Sequence, residues 1–328
     1  MLGTLASHRN FACGFVDGAY VHWRRTCAVD AGSTWGIHTI VSRDAAVVPI
    51  GNRYLYQLSH SHRGIKLMDL LGINPVLLIA SLMVSATPIL LAAIGETVVE
   101  KSGVLNLGVE GMMIVGAVVG FITAVNTENP AIGFVTAAIA GALLSTIFAT
   151  LVLYLKSNQV ATGLGLTLVG LGISALLGKP YEGIKSPTLQ SLDIPILSDI
   201  PMFGRMLFSH DAMVYVSILI VGLVWYTLKY TRIGLVLRAV GENHDAAHAL
   251  GYKVIRIRFL AIMFGGACSG LGGAYISLVR VPQWTEGMTA GAGWIALAIV
   301  VFASWKPWRA LIGAYLFGGI TVLQLNYR

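Results

Sequence analysis

MDLLGINPVLLIASLMVSATPILLAAIGE, residues 68–96, carries no charge between Asp69 and Glu96. That is longer than the roughly 20 apolar residues a helix needs to cross a hydrocarbon core. Comparable runs follow, and the same rule predicts spans at 72–94, 103–125, 131–155, 158–178, 211–230, 257–280, 289–305 and 308–325. The fold class is therefore all-α: a polytopic transmembrane helical bundle of about eight spans. Composition agrees, with 56% hydrophobic residues and a mean hydropathy of +0.75. Only 11% of residues are charged, against about 25% in soluble domains, too few to cover a water-facing surface. In so apolar a chain the 38 glycines read as close helix packing in lipid, and Gly116/Gly120 and Gly266/Gly270 form small-xxx-small pairs.

Residues 1–67 differ from this pattern. They hold five of the eight histidines and two of the three cysteines, and no run long enough to span. No charged, apolar and small-residue regions follow in signal-peptide order. This stretch is read as an atypical extension, disordered or translated from upstream sequence, with Met68 as the native start and 68–328 as the transmembrane domain. A genuine soluble extension is the alternative.

Charge placement argues against a nucleic-acid partner. Of the net +7, residues 1–67 supply seven Lys/Arg against three Asp/Glu, and the remainder has no basic run interleaved with aromatics. It does orient the chain. Residues 229–258 carry Lys229, Arg232, Arg238, Lys253, Arg256 and Arg258 against Glu242 and Asp245. Residues 179–211 carry Lys179, Lys185 and Arg205 against four acidic residues. Cytoplasmic loops are enriched in Lys and Arg, so 229–258 faces the cytoplasm and 179–211 the outside.

Two polar stretches interrupt the apolar pattern. The first is GETVVEKSGVLNLGVEGMM, residues 95–113, read as a broken helix within the membrane. Asn106 and Glu110 stand four apart, on one face of any helix that contains both. A carboxylate at membrane depth faces a cavity or a partner, and broken helices are how transporters present backbone groups to a polar solute. Glu110 also has a simpler reading, as one half of a buried hydrogen bond between helices. The second stretch, TRIGLVLRAVGENHDAAHALGYKVIRIRF (231–259), contains a short glycine-bounded helix. Asn243 or Asp245 can cap its start, and Gly251 ends it as a C-terminal glycine does. A small alanine-rich helix between spans suits docking in a groove on another protein. His244 and His248 lack a third ligand for a metal, and Cys268, in a small-residue run, reads as packing.

These residues carry a resemblance. Arg238, Gly241, Glu242, Asn243, Ala246, Ala247 and Gly251, followed by GGACSGLGGAY, are similar to the coupling-helix region of the ribose/branched-chain amino-acid class of ABC importer permeases. GETVVEKSGVLNLGVEGMM resembles the signature of permeases in nucleoside and simple-sugar uptake. The likeness extends over 68–328 and none of 1–67. It implies a multi-pass subunit of the bacterial inner membrane that works with a cytoplasmic ABC ATPase, a second homologous permease and an external solute-binding lipoprotein. It further implies that the seven residues above contact the ATPase, and that Asn106, Glu110 and Gly111 border the translocation path. The family pattern continues with a further span beyond Arg328, so a chain shortened at its C-terminus is expected.

No enzyme site is expected. The chain has no GxxxxGK[ST] motif; its nearest approach, Leu177-Gly178-Lys179-Pro180, puts proline where Ser or Thr must bind magnesium. ATP-Mg is then used by partner subunits, and the chain itself binds no cofactor. An ion-coupled secondary transporter is the alternative, but such proteins place ionisable residues in several spans, whereas Glu110 reads as nearly alone.

Overall fold

A computed structural model describes residues 75–187, 189, 191–193 and 209–326. All lie in the unit Leu67–Arg328; the extension expected at 1–67, and its boundary at Met68, fall outside the described residues.

Among the described residues ten α-helices run in order: α1 (Pro75–Lys101), α2 (Val109–Thr127), α3 (Pro130–Ala149), α4 (Gln159–Gly178), α5 (Ala212–Tyr230), α6 (Arg232–Glu242), α7 (His244–Ala249), α8 (Val254–Tyr275), α9 (Ala292–Phe302) and α10 (Pro307–Asn326). Single π-helical turns, Thr150–Tyr154 and Ile276–Arg280, extend α3 and α8. Two short strands, β1 (Ser191–Asp193) and β2 (Ser209–Asp211), pair antiparallel with Ser191 opposite Asp211. Local chemistry sets several helix starts. The Asn129 side chain accepts from the Ala131 N–H, with Pro130 opening α3 where a missing N–H costs nothing. Asn158 accepts from Val160 and Ala161 at the start of α4.

Burial sorts the helices into an interior and a perimeter. Residues in the spanning window of α1 are 83% buried and those of α2 72%, against 28% for α4. On α3 the exposed aliphatics Ile132, Val135, Ile139, Leu143 and Ile147 recur at helical spacing, a stripe suited to lipid. α8 packs against α1, α2 and α3, and both small-xxx-small pairs fall in that crossing. A methyl on Gly120 would meet the Gly133 carbonyl at 3.0 Å, and one on Gly272 would meet the Pro88 carbonyl at 2.6 Å. Only glycine permits backbones to approach this closely. Cys268 is buried against Gly95, in a packing role.

Two expectations need correction. Among the described residues six helices are long and apolar enough to cross a membrane, and α10, with 20 residues, has spanning length. The span expected at 289–305 is instead a half-length helix: α9 has 11 residues, about 16 Å at 1.5 Å per residue. Its N-terminus is thereby placed at membrane depth. The break expected across 95–113 is also narrower. α1 continues through Gly95 to Lys101 and α2 starts at Val109, leaving only 102–108 irregular. The polar residues Glu96 and Glu100 do not stop α1 because the surrounding fold supplies hydrogen bonds to each.

Candidate functional site

A helix that begins inside the membrane leaves backbone N–H groups without water to bind. In α9 those groups find Glu110. Its Oε1 accepts from the Thr289 hydroxyl at 2.5 Å and the Gly291 N–H at 2.9 Å. Its Oε2 accepts from the Gly293 N–H at 2.7 Å. A carboxylate also matches the partial positive charge of a helix N-terminus. The chain turns into this cap through Gly287, Ala290 and Gly291, all with positive φ. Gly293 lets α9 come close: a methyl there would meet the Glu110 backbone nitrogen at 2.6 Å. Glu110, 3% exposed, thus fastens the first turn of α2 to the half-helix.

Asn106 lies in the irregular segment, not on the helix that holds Glu110. It is fully buried. Its Oδ1 accepts from the Gly108 N–H at 2.9 Å, and its own backbone N–H donates to Glu96 Oε1 at 3.2 Å. Gly111 faces α4, where a methyl would meet the Leu166 carbonyl at 2.8 Å. Sequence reasoning missed Glu96, whose Oε2 is buried without a hydrogen-bond partner. It also missed Glu100, whose Oε2 accepts from the Trp305 indole N–H. Glu110 is therefore not an isolated carboxylate. The missing signal was spacing: Glu96 and Glu100 stand four apart on an unbroken helix.

The second group forms a ledge. The short helix expected to begin at Glu242 starts two residues later, at His244. Glu242 closes α6, a helix in its own right. Asn243 sits between them as the α7 cap and accepts from the Ala246 N–H at 3.0 Å. Gly251, at φ +85°, follows the end of α7, and its N–H donates to the His248 carbonyl at 2.9 Å. Glu242, Asn243, Ala246 and Gly251 are exposed. Ala247 points inward with Val240 and Val254. Leu250, at 76%, is exposed on this ledge, as are Ile233 and Leu235 on α6. Arg238 stands apart, half-buried on α6, with Nε donating to the Gly234 carbonyl at 3.3 Å.

A direct joint links ledge and break. Arg258 Nε donates to the Ser102 carbonyl at 3.0 Å, and Nη2 to the Val240 carbonyl at 3.3 Å. Gly241 packs on the Lys101 carbonyl at a distance that leaves no room for a side chain. Gly103, at φ +83°, would bring a methyl to 3.1 Å from the Gly241 carbonyl. One guanidinium thus ties the end of α1, the end of α6 and the start of α8. Arg258 was counted among the loop charges, and nothing in its spacing marks it as this clamp.

A membrane-embedded bundle with a capped half-helix and a cytoplasmic ledge joined to its interior is the architecture of a transport subunit. Comparison with known proteins makes the class definite. Residues 78–328 match the family described as branched-chain amino acid transport system / permease component, and the chain belongs to that family. A Haloferax volcanii protein provisionally named a glucose ABC transporter permease is 42% identical over 246 residues, covering 74% of this chain and 75% of its own. The guanosine ABC transporter permease protein of Bacillus subtilis is 34% identical, over 76% of this chain and 82% of its own. A nucleoside ABC transporter permease protein of Lactococcus lactis is 29% identical, with the same two coverages. No solved structure matches the chain at a significant level. The protein is a multi-pass permease subunit of an ABC transporter in the cytoplasmic membrane, a transport component that operates with ATPase and solute-binding partners.

Proposed function

We propose that this permease moves nucleosides or related simple sugars inward, and that ATP is hydrolysed by a separate cytoplasmic subunit docked on the α6–α7 ledge. A second homologous permease completes the channel, and a lipoprotein delivers solute from outside. The carrying observation is the joint through Arg258 and Gly241, which gives a push on the ledge a rigid route to the segment beside Glu96 and Asn106. From there the route continues through α2 to Glu110 and the half-helix. In this reading Glu242, Asn243, Ala246, Ala247 and Gly251 shape the docking contact, and Arg238 and Gly241 hold its base. Asn106, Glu110 and Gly111 set the position of α2 and α9 along the solute path. The solute class is supported by the relatives, which carry guanosine, nucleoside and glucose names.

The test is uptake by proteoliposomes holding this permease with a candidate ABC ATPase, second permease and solute-binding lipoprotein. Labelled guanosine should accumulate only with ATP inside, at least about tenfold faster than with a non-hydrolysable analogue. Transport by the purified chain alone, driven by an ion gradient, would reject the scheme in favour of a secondary transporter.

A further inference from the structure

On the cytoplasmic side, where α1, α5, α6 and α10 meet, lies a cavity of about 430 Å³ walled by Lys101, Lys229, Arg238, Lys306 and Arg309. Five cations share this space, and none has a carboxylate partner: among the described residues the one ion pair joins His244 and Asp245. The nearby Glu100 is engaged by the Trp305 indole. Two of them rest instead on aromatic faces. Lys101 Nζ lies 5.8 Å from the Trp305 ring centre, and Lys229 Nζ lies 5.3 Å from Trp225 and 5.1 Å from Tyr230. Trp308 stacks edge-on against Trp225 at 6.1 Å. A cation held over a ring keeps its N–H donors available to an anion. Tryptophan in this density marks the level of lipid headgroups.

We infer that this pocket binds the phosphate headgroup of an anionic phospholipid of the cytoplasmic leaflet. The second half of the site is apolar. Leu228 also lines a neighbouring groove of about 320 Å³, walled by Leu223, Ile233, Leu260 and Phe264. A mainly apolar pocket bordered by cations, beside an apolar groove, fits a headgroup with its acyl chain, whereas a free phosphate would use only the cationic border. Basic pockets between membrane helices on the cytoplasmic side bind such headgroups. The inference is independent of which solute is carried.

Native mass spectrometry of the full chain tests it, with phosphatidylglycerol and phosphatidylcholine of identical acyl chains as probes and glycerol phosphate as the soluble headgroup. Phosphatidylglycerol should be retained at least about tenfold over phosphatidylcholine, and glycerol phosphate should neither bind nor compete. The exposed pair Lys229→Gln and Arg309→Gln should lower retention about fivefold for each charge removed. Lys229→Arg with Lys306→Arg should keep it, and unchanged melting of both variants separates binding from folding. Equal retention of the two lipids overturns the inference, as does wild-type retention by the glutamine variant. Competition by glycerol phosphate would make this a site for free anions. Release of the lipid when the ATPase subunit is added would make it a protein contact.

Discussion

Glu110 is the residue on which the half-helix depends. It takes three hydrogen bonds from groups that have no water to turn to, and bonds to a charged acceptor contribute about 1.5–3 kcal/mol each. Glu110→Gln keeps the shape but turns an amide N–H₂ toward backbone donors. Thermal melting of the purified protein should show a loss of about 2–4 kcal/mol. Glu110→Asp, one methylene shorter, should not recover it. A second residue gives a pH signature. Asp211 precedes α5 without a side-chain capping bond. Burial first, then the opposing effect of His210, leaves its carboxyl above the ordinary value of 3.8. A carboxyl whose folded value is raised favours the folded state fully below about 3.8, and that favour is lost as pH rises through the raised value. Asp211→Asn should therefore melt higher than the parent at pH 7, with the difference vanishing toward pH 3.5. A constant difference across that range would exclude titration of Asp211 as its source.

Among the elements, α6 and α7 form one ledge whose base Gly241 and Arg258 pin to the end of α1, and the proposed coupling uses it as a lever. Gly241→Val would force the end of α6 off the Lys101 carbonyl, an overpacking of the kind that costs about 1–3 kcal/mol. ATP-driven uptake should fall by about tenfold or more while circular dichroism keeps its helical signal and the ATPase still co-purifies. Loss of co-purification would instead place Gly241 in the docking contact itself. The sequence shows much of this element: Asn243 as one of two candidate caps, Gly251 as terminator and the basic flank all follow from residue type. It does not show that 232–242 is helical too, because a short apolar run with two arginines and two glycines reads equally well as a loop beside the membrane. The half-helix α9 was hidden for a related reason. Residues 289–305 are apolar enough to be counted as a span, and only the positive-φ turn at Gly287–Gly291, unreadable without coordinates, shows that the chain enters partway. Glu96 and Glu100 were read as breaking a helix because their partners, the Asn106 N–H and the Trp305 indole, are distant in sequence or supplied by backbone.

For the whole molecule, the decisive property is which side each end faces, since a lever on the wrong side could meet no ATPase. Residues 229–258 hold six basic residues against two acidic, and 179–211 hold three against four; lysine and arginine bias sets orientation. The helices agree in direction. α8 runs from the ledge at Val254 to the π-turn ending at Arg280. The loop beyond that turn meets the predicted outer segment 179–211, where Lys185 pairs with Gln283 and Glu182 with Trp284. The predicted outer segment and the loop after α8 are thus joined at one end of the bundle, and the ledge lies at the other. Single cysteines make this testable, because Cys268 is buried and Cys13 and Cys27 can be replaced by serine. A membrane-impermeant maleimide should label exposed Glu182→Cys in right-side-out vesicles and Ala246→Cys only in inside-out vesicles. The reverse pattern would leave the fold intact but remove the ledge from the reach of any cytoplasmic ATPase, and the proposed coupling with it.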